Sequence, residues 1–197
     1  PQKGFLPTGG IAKLLATLDM LILPTAFVLD LLIGDPPRLP HPIRWMGAAI
    51  QRCEPVFRKR VASPEKAGLF FAVFLIGATL LLSLIAIGLA TKWCPWAGWL
   101  LEVILLYYCL SVRSLMQAGW DVIEALAREG LSAGRRMVAN IVGRDVSRLT
   151  ETGVSRAALE SVAENLVDGV ISPLFFAALG GAPLALTYKM TNTLDSM

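Results

Sequence analysis

Glu160, Glu164 and Asp168 stand four residues apart in ESVAENLVDG (160–169). On a helix that spacing puts three carboxylates on one face. Hard divalent cations prefer oxygen ligands, so one reading of the stripe is a divalent-cation site, with Asn165 as an added neutral oxygen. The alternative is a solvated helix face, with Arg156 four residues before Glu160 as an ordinary ion pair. Like charges this close raise one another's pKa unless a cation or basic group compensates. Leu159, Val162, Ala163, Leu166 and Val170 fall on the other side of the helix. That apolar side is expected to hold it against the rest of the molecule.

Three further stretches carry candidate chemistry. In DLLIGDPPRLPHPIRWMG (30–47), Asp30 sits in apolar surroundings, where a charge costs about 2.5–3.5 kcal/mol on membrane-insertion scales. Asp35, Arg38, His41 and Arg44 follow on a loop that prolines stiffen, which lowers the cost of holding side chains in place. Arginines suit phosphate or carboxylate; an isolated histidine such as His41 is commonly a structural hydrogen-bonder. In IVGRDVSRL (141–149), Gly143-Arg144-Asp145 reads as a turn with a buried or paired Arg–Asp. No GxxxxGK[ST] or GxGxxG occurs, so if a nucleotide binds here it does so without a phosphate loop. In YKMTNTLDSM (188–197), Lys189 reads either as a snorkelling boundary lysine or as a ligand contact. Asn192 and Asp195, three apart, suit a cation.

The elements that must position these groups are membrane helices. Hydrophobic residues make up 55% of the 197-residue chain, charged residues 17%, and the mean hydropathy is +0.61. Soluble domains carry about 25% charged residues. The net charge of +3 is too small to imply nucleic acid. Cys53, Cys94 and Cys109 are odd in number and widely spaced, and read as packing residues rather than disulfides or zinc ligands.

Spans are expected near 20–34, 67–91, 100–116 and 170–188. The first is short for a span, so either upstream residues complete it or it enters the membrane only partly. The last is broken by Pro173, Gly180, Gly181 and Pro183. Residues 1–19 read as an upstream or non-native extension before Met20, and 20–197 as one membrane domain. Residues 92–99 hold three tryptophans, as an aromatic belt does. Seven basic residues in 35–66 and six in 117–157 contrast with Lys92 alone in 92–99. The positive-inside rule then puts both large polar segments, mostly helical, in the cytoplasm. The expected fold is an all-α, polytopic integral membrane protein with cytoplasmic helical loops.

Read together, the motifs resemble one family. D-x4-GDP-x4-HP-x-R-x-MG at 30–47, IVGRD at 141–145, ES-x-AEN-x2-DG at 160–169, PLFFAALGGAPLAL-x-YK at 173–189 and NTLDSM at 192–197 are similar, in collinear order, to the adenosylcobinamide-phosphate synthases. These are the cobalamin biosynthesis proteins written CobD or CbiB. Val146 and Ser172 stand where threonine and alanine are expected, and the linker 189–192 varies. Family members continue beyond the last motif, so an N-terminal portion of a longer domain is expected.

The resemblance implies a prokaryotic inner-membrane, acid–amine ligase of vitamin B12 synthesis. It would join adenosylcobyric acid to aminopropanol or its phosphate, with ATP as co-substrate and Mg²⁺. Glu160, Glu164, Asp168 and Asp195 are then the expected metal ligands. Arg44, Arg144, Asp145, Lys189 and Asn192 are expected at substrate or phosphate, and Asp35, His41, Glu160 and Glu164 in catalysis, with Asp35 or His41 taking the amine proton. Partners are the corrinoid and amino-alcohol substrates, the lipid bilayer and other cobalamin-assembly enzymes, with no nucleic acid. Two other classes fit parts of the pattern: a Mg²⁺-dependent intramembrane transferase, whose usual repeated acidic motif is missing, and a non-catalytic membrane scaffold or sensor.

Overall fold

A computed structural model describes residues 8–36, 41–61 and 63–197, with side chains from Asp19 onward. Arg38 lies outside the described residues. The helices are α1 (Thr8–Ile33), α2 (Pro42–Arg60), α3 (Pro64–Trp93), α4 (Pro95–Tyr107), α5 (Val112–Glu129), α6 (Leu131–Val138), α7 (Glu151–Leu166) and α8 (Ser172–Asp195). A π-helical turn, Val167–Ile171, joins α7 to α8. Among the described residues there is no strand. Pro64–Trp93, Pro95–Glu129 and Glu151–Asp195 are each long and apolar enough to cross a membrane. The chain is an all-α, polytopic membrane protein.

Prolines mark helix starts at α2, α3 and α4, where the missing N–H costs no helical bond. α3 is uncharged from Ala67 to Thr91 and leaves Leu69, Phe70, Val73, Phe74, Leu81 and Leu82 exposed, as a lipid-facing helix does. α1 begins at Thr8, so residues upstream of Met20 extend this helix to 26 residues, about 39 Å. The second apolar run, 100–116, is not one straight helix. α4 ends at Tyr107 and α5 starts at Val112.

Asp30 explains how that break is held. It is 1% exposed, and its Oδ2 accepts the Val112 N–H at 2.6 Å. The buried acid of α1 therefore caps the first turn of α5, where the helix leaves its N–H groups unpaired. Arg113 donates to Leu32 O and the Tyr107 hydroxyl to Gly34 O, tying the end of α1 to the same joint. Asp30→Ala is expected to lower stability by about 1–2 kcal/mol, with Asp30→Asn losing less because an acceptor remains. Thermal unfolding in detergent checks this; an unshifted midpoint for the alanine variant would show that α5 does not need the cap.

The apolar run at 170–188 is a hairpin rather than a straight crossing. Backbone angles leave the helical region at Gly180 and Gly181 (φ 68°, ψ −164°). Phe176 and Tyr188 stack with ring centroids 5.1 Å apart; in a continuous helix their twelve-residue separation spans about 18 Å. The arm 182–195 thus runs back beside 172–179 to the π-turn, where Tyr188 and Lys189 reach Asp168. Ala182 N–H, at the head of the returning arm, donates to Glu102 Oε1 of α4 at 3.2 Å. Broken helices occur at membrane depth where protein groups satisfy the freed backbone in this way.

Two apolar cores result. Ile22, Ala26, Met46, Ile50, Leu75, Val103, Leu106, Ala182, Ala185 and Leu186 join α1–α4 to the hairpin. Val122, Val138, Val154, Ala157 and Ala158 join α5, α6 and α7. The expected packing face of α7 is used only in part: Val170 is buried and Val162 half-buried. Leu159 is 71% exposed, and Ala163 and Leu166 are exposed too. The buried side is Val154, Ala157, Ala158 and Ser161, small residues that let α5 and α6 approach closely.

Candidate active site at the open end of the hairpin

The π-turn sits where the two cores meet. Ser172 N–H donates to Val167 O, five residues back, the hydrogen bond of a π-turn. Gly169 O accepts Ser111 N–H at 3.1 Å and the Ser111 hydroxyl at 3.3 Å, so it also caps α5. Gly169 has no Cβ for a reason: one would overlap Ser111 Oγ. Asp168 O accepts Lys189 Nζ at 3.2 Å, and Asp168 Oδ1 accepts the Tyr188 hydroxyl at 3.0 Å. Lys189 is thus buried at 9% exposure and bonded inward, which excludes the snorkelling reading. It lies within electrostatic reach of Asp30, Asp35 and Asp168.

A polar cavity of about 540 Å³ opens beside this turn. Glu160, Glu164, Asn165 and Asp168 line one side, Gly143 and Arg144 another, and Asn192 and Ser196 of the returning arm a third. The three carboxylates do share one face, yet their electrostatic states differ. Glu160 is committed: Arg156 Nε lies 2.8 Å from Oε1 and Arg144 Nη2 2.9 Å from Oε2. Asp168 is held by Tyr188. Glu164 makes no hydrogen bond or ion pair among the described residues, although it faces the cavity. Among the described residues no three His, Cys, Asp or Glu side chains are grouped closely enough to hold a metal ion by themselves. Asp195 is exposed and does not line the cavity.

The GRD turn departs from expectation in its pairing. Arg144 does not bond Asp145 but reaches α7. Asp145 instead accepts Ser147 N–H at 2.9 Å and the Ser147 hydroxyl at 3.0 Å, a side-chain turn that fixes the loop. These bonds hold the Asp145 carboxyl below the usual carboxylate range. A depressed pKa adds stability that is present above the unfolded value and is lost only as pH falls through the folded one. At neutral pH the turn is therefore intact, and Arg144 is presented to the cavity.

Asp35, His41 and Arg44 do not line this cavity. His41 Nε2 lies 2.7 Å from Asp35 Oδ1, and its Nδ1 accepts Ile43 N–H at 3.3 Å as the cap of α2. With Nδ1 accepting, a neutral ring carries its proton on Nε2 and donates it to Asp35. Both nitrogens are then occupied, and Asp35, their carboxylate partner, has 35% of its side chain exposed. Arg44 stands exposed in the first turn of α2.

Sequence reasoning missed Tyr188 and Ser161. Ser161, buried on α7, donates to Ile141 O and receives Asn165 Nδ2, locking the IVGRD loop to the carboxylate helix. Its signal was present: a serine on the buried side of an amphipathic helix needs a partner. A separate cavity of about 410 Å³ between α2 and α3, around Phe57 and Phe71, holds none of the candidate residues.

The CobD/Cbib protein family matches residues 23–197. The cobalamin biosynthesis protein CobD of Citrobacter koseri is 44% identical over 175 residues, 87% of this chain and 55% of that protein. CobD of Yersinia enterocolitica is 46% identical and CbiB of Salmonella typhimurium 44% identical, with the same coverage. The chain spans about half the length of the curated relatives it matches. No solved structure matches. Residues from Leu23 to the last motif match one family, and three of its motifs meet around a single cavity: the chain belongs to the CobD/Cbib family.

Proposed function

We propose that the chain serves cobalamin biosynthesis as part of an ATP-dependent ligase that joins adenosylcobyric acid to aminopropanol or its phosphate. One observation carries this reading. Arg144 from IVGRD, the carboxylates from ESVAENLVDG and Asn192 and Ser196 from NTLDSM converge on one polar cavity although they are far apart in sequence. The relatives' names support the pathway. In the proposed orientation the cavity faces the cytoplasm, where the basic segments put it.

The donor set fits Mg²⁺. That ion keeps several waters and is commonly bound by one or two carboxylates plus substrate phosphates. Glu164 and Asp168 would hold it, and it would neutralise charge on the phosphates of ATP. Arg144, oriented by Glu160, would orient the substrate carboxylate or a phosphate oxygen. The carboxylate oxygen would attack the terminal phosphorus of ATP, releasing ADP and leaving an acyl phosphate. The amine would then attack the acyl carbon. Phosphate leaves as the C–N bond forms, and the amine proton passes to a carboxylate of the cavity, because Asp35 and His41 do not line it.

The test is direct. Solubilised protein is incubated with adenosylcobyric acid, aminopropanol phosphate and Mg-ATP, and corrinoid product and ADP are followed together. Equal formation of amide product and ADP is expected. ADP formation that ignores adenosylcobyric acid would count against the acyl phosphate, and absence of corrinoid product would overturn the assignment.

A further inference from the structure

A second cavity of about 340 Å³ adjoins the charged one. Ile141, Ser161 and Asn165 form the wall between them, lining both. The chemistry changes across that wall. The first cavity carries Arg144, Glu160, Glu164 and Asp168. The second has no ionisable side chain: its polar groups are serine hydroxyls and two carboxamides, set among Leu115, Ala118 and Val162.

Part of this polar set is consumed in building the wall. Ser161 donates to Ile141 O, Asn165 Nδ2 donates to Ser161 O at 2.8 Å, and Ser111 donates to Gly169 O. The rest is unspent. Among the described residues the Asn140 carboxamide, the Ser114 hydroxyl and the Asn165 side-chain oxygen make no hydrogen bond, and all three residues line the cavity. They offer both donors and acceptors, without charge.

We infer that this annex binds uncharged carboxamide arms of the corrinoid while its reactive carboxylate lies in the charged cavity. The inference rests on the corrinoid reading above. Adenosylcobyric acid is a macrocycle with primary carboxamides arrayed around one carboxylate, so one ring can reach across a shared wall into both spaces. A carboxamide brings two N–H donors and a carbonyl acceptor, which pair with Asn140, Ser114 and Asn165. A carboxylate in the annex would meet no cation and would lose its hydration without compensation. The annex therefore selects amide over acid at the neighbouring arms, and the charged cavity selects the acid that reacts.

The experiment measures binding of adenosylcobyric acid alone, without ATP, to solubilised protein by the change in corrin absorbance. Asn140→Ala and Ser114→Ala are each expected to weaken it about fivefold to tenfold, the loss of a neutral hydrogen bond, with ATP binding unchanged. Asn140 is exposed at the end of a turn, so its replacement leaves the melting temperature in place. Asn140→Lys supplies a sharper readout. It should bind a corrinoid whose carboxamides have been hydrolysed to carboxylates more tightly than the unaltered protein does. If the unaltered protein binds adenosylcobyric acid and the variants bind it equally well, with no gain for the lysine variant, the annex assignment is overturned and the ligase reading stands. If the unaltered protein does not bind the corrinoid, the ligase reading fails first.

Discussion

Glu164→Gln is expected to lower turnover at least about a hundredfold, the scale on which positioned acid–base or charge-stabilising groups act, while the melting temperature stays where it was. The cavity contains three carboxylates, but only this one is unengaged. Glu160 lies between Arg156 and Arg144 at 2.8 and 2.9 Å. Asp168 is held by the Tyr188 hydroxyl. Glu164 lines the cavity with no partner among the described residues, so removing its charge breaks no bond that the fold uses. Glu160→Gln should behave differently. It releases Arg144 from α7, so its effect should appear mainly as a raised KM for the substrate that Arg144 orients. The two variants are compared by steady-state kinetics on the ligase reaction, with thermal unfolding as the control. A Glu164→Gln protein that keeps its turnover within about threefold would show that the cavity is a scaffold feature and not the centre of the chemistry.

Much of this was legible in the chain before folding, and the parts that were not share a physical cause. α3 could be read directly, because an uncharged apolar run of that length has one stable environment. The convergence of Glu160, Glu164 and Asp168 on one face was readable from spacing, although the π-turn at 167–171 was not. An extra residue in a helical turn hardly alters a short hydrophobic period. Periodicity showed that Leu159, Ala163 and Leu166 share a face, but it does not say what covers a face, and α7 packs through its small residues instead. Asp30 looked like a functional acid because its partner lies 82 residues away in sequence. The Arg144–Asp145 pairing failed for the converse reason: the local turn captured the aspartate through Ser147, freeing the arginine for α7. Local chemistry was legible; long-range partners were not.

Gly181→Ala tests the long-range part most severely and is expected to cost about 2–3 kcal/mol of stability. Gly181 has φ 68° and ψ −164°, a region open essentially to glycine that costs a residue with a Cβ roughly 1–3 kcal/mol. The added Cβ would also overlap Glu102 Oε1. That oxygen can move, because it ends a flexible side chain, but moving it abandons the Ala182 N–H it accepts at 3.2 Å. The loss of that bond in an apolar setting adds about another 1 kcal/mol. The consequence reaches the cavity, since the returning arm carries Tyr188, Lys189 and Asn192, and its position is set by the reversal at this glycine. Thermal unfolding should therefore show a lowered midpoint, and activity should fall even below the transition. Combining the change with Glu102→Ala separates the two causes. The overlap disappears, so the double variant should not be less stable than the sum of the single changes predicts, while the backbone strain persists and full stability does not return. A Gly181→Ala protein as stable and as active as the original would mean that α8 does not reverse at this point.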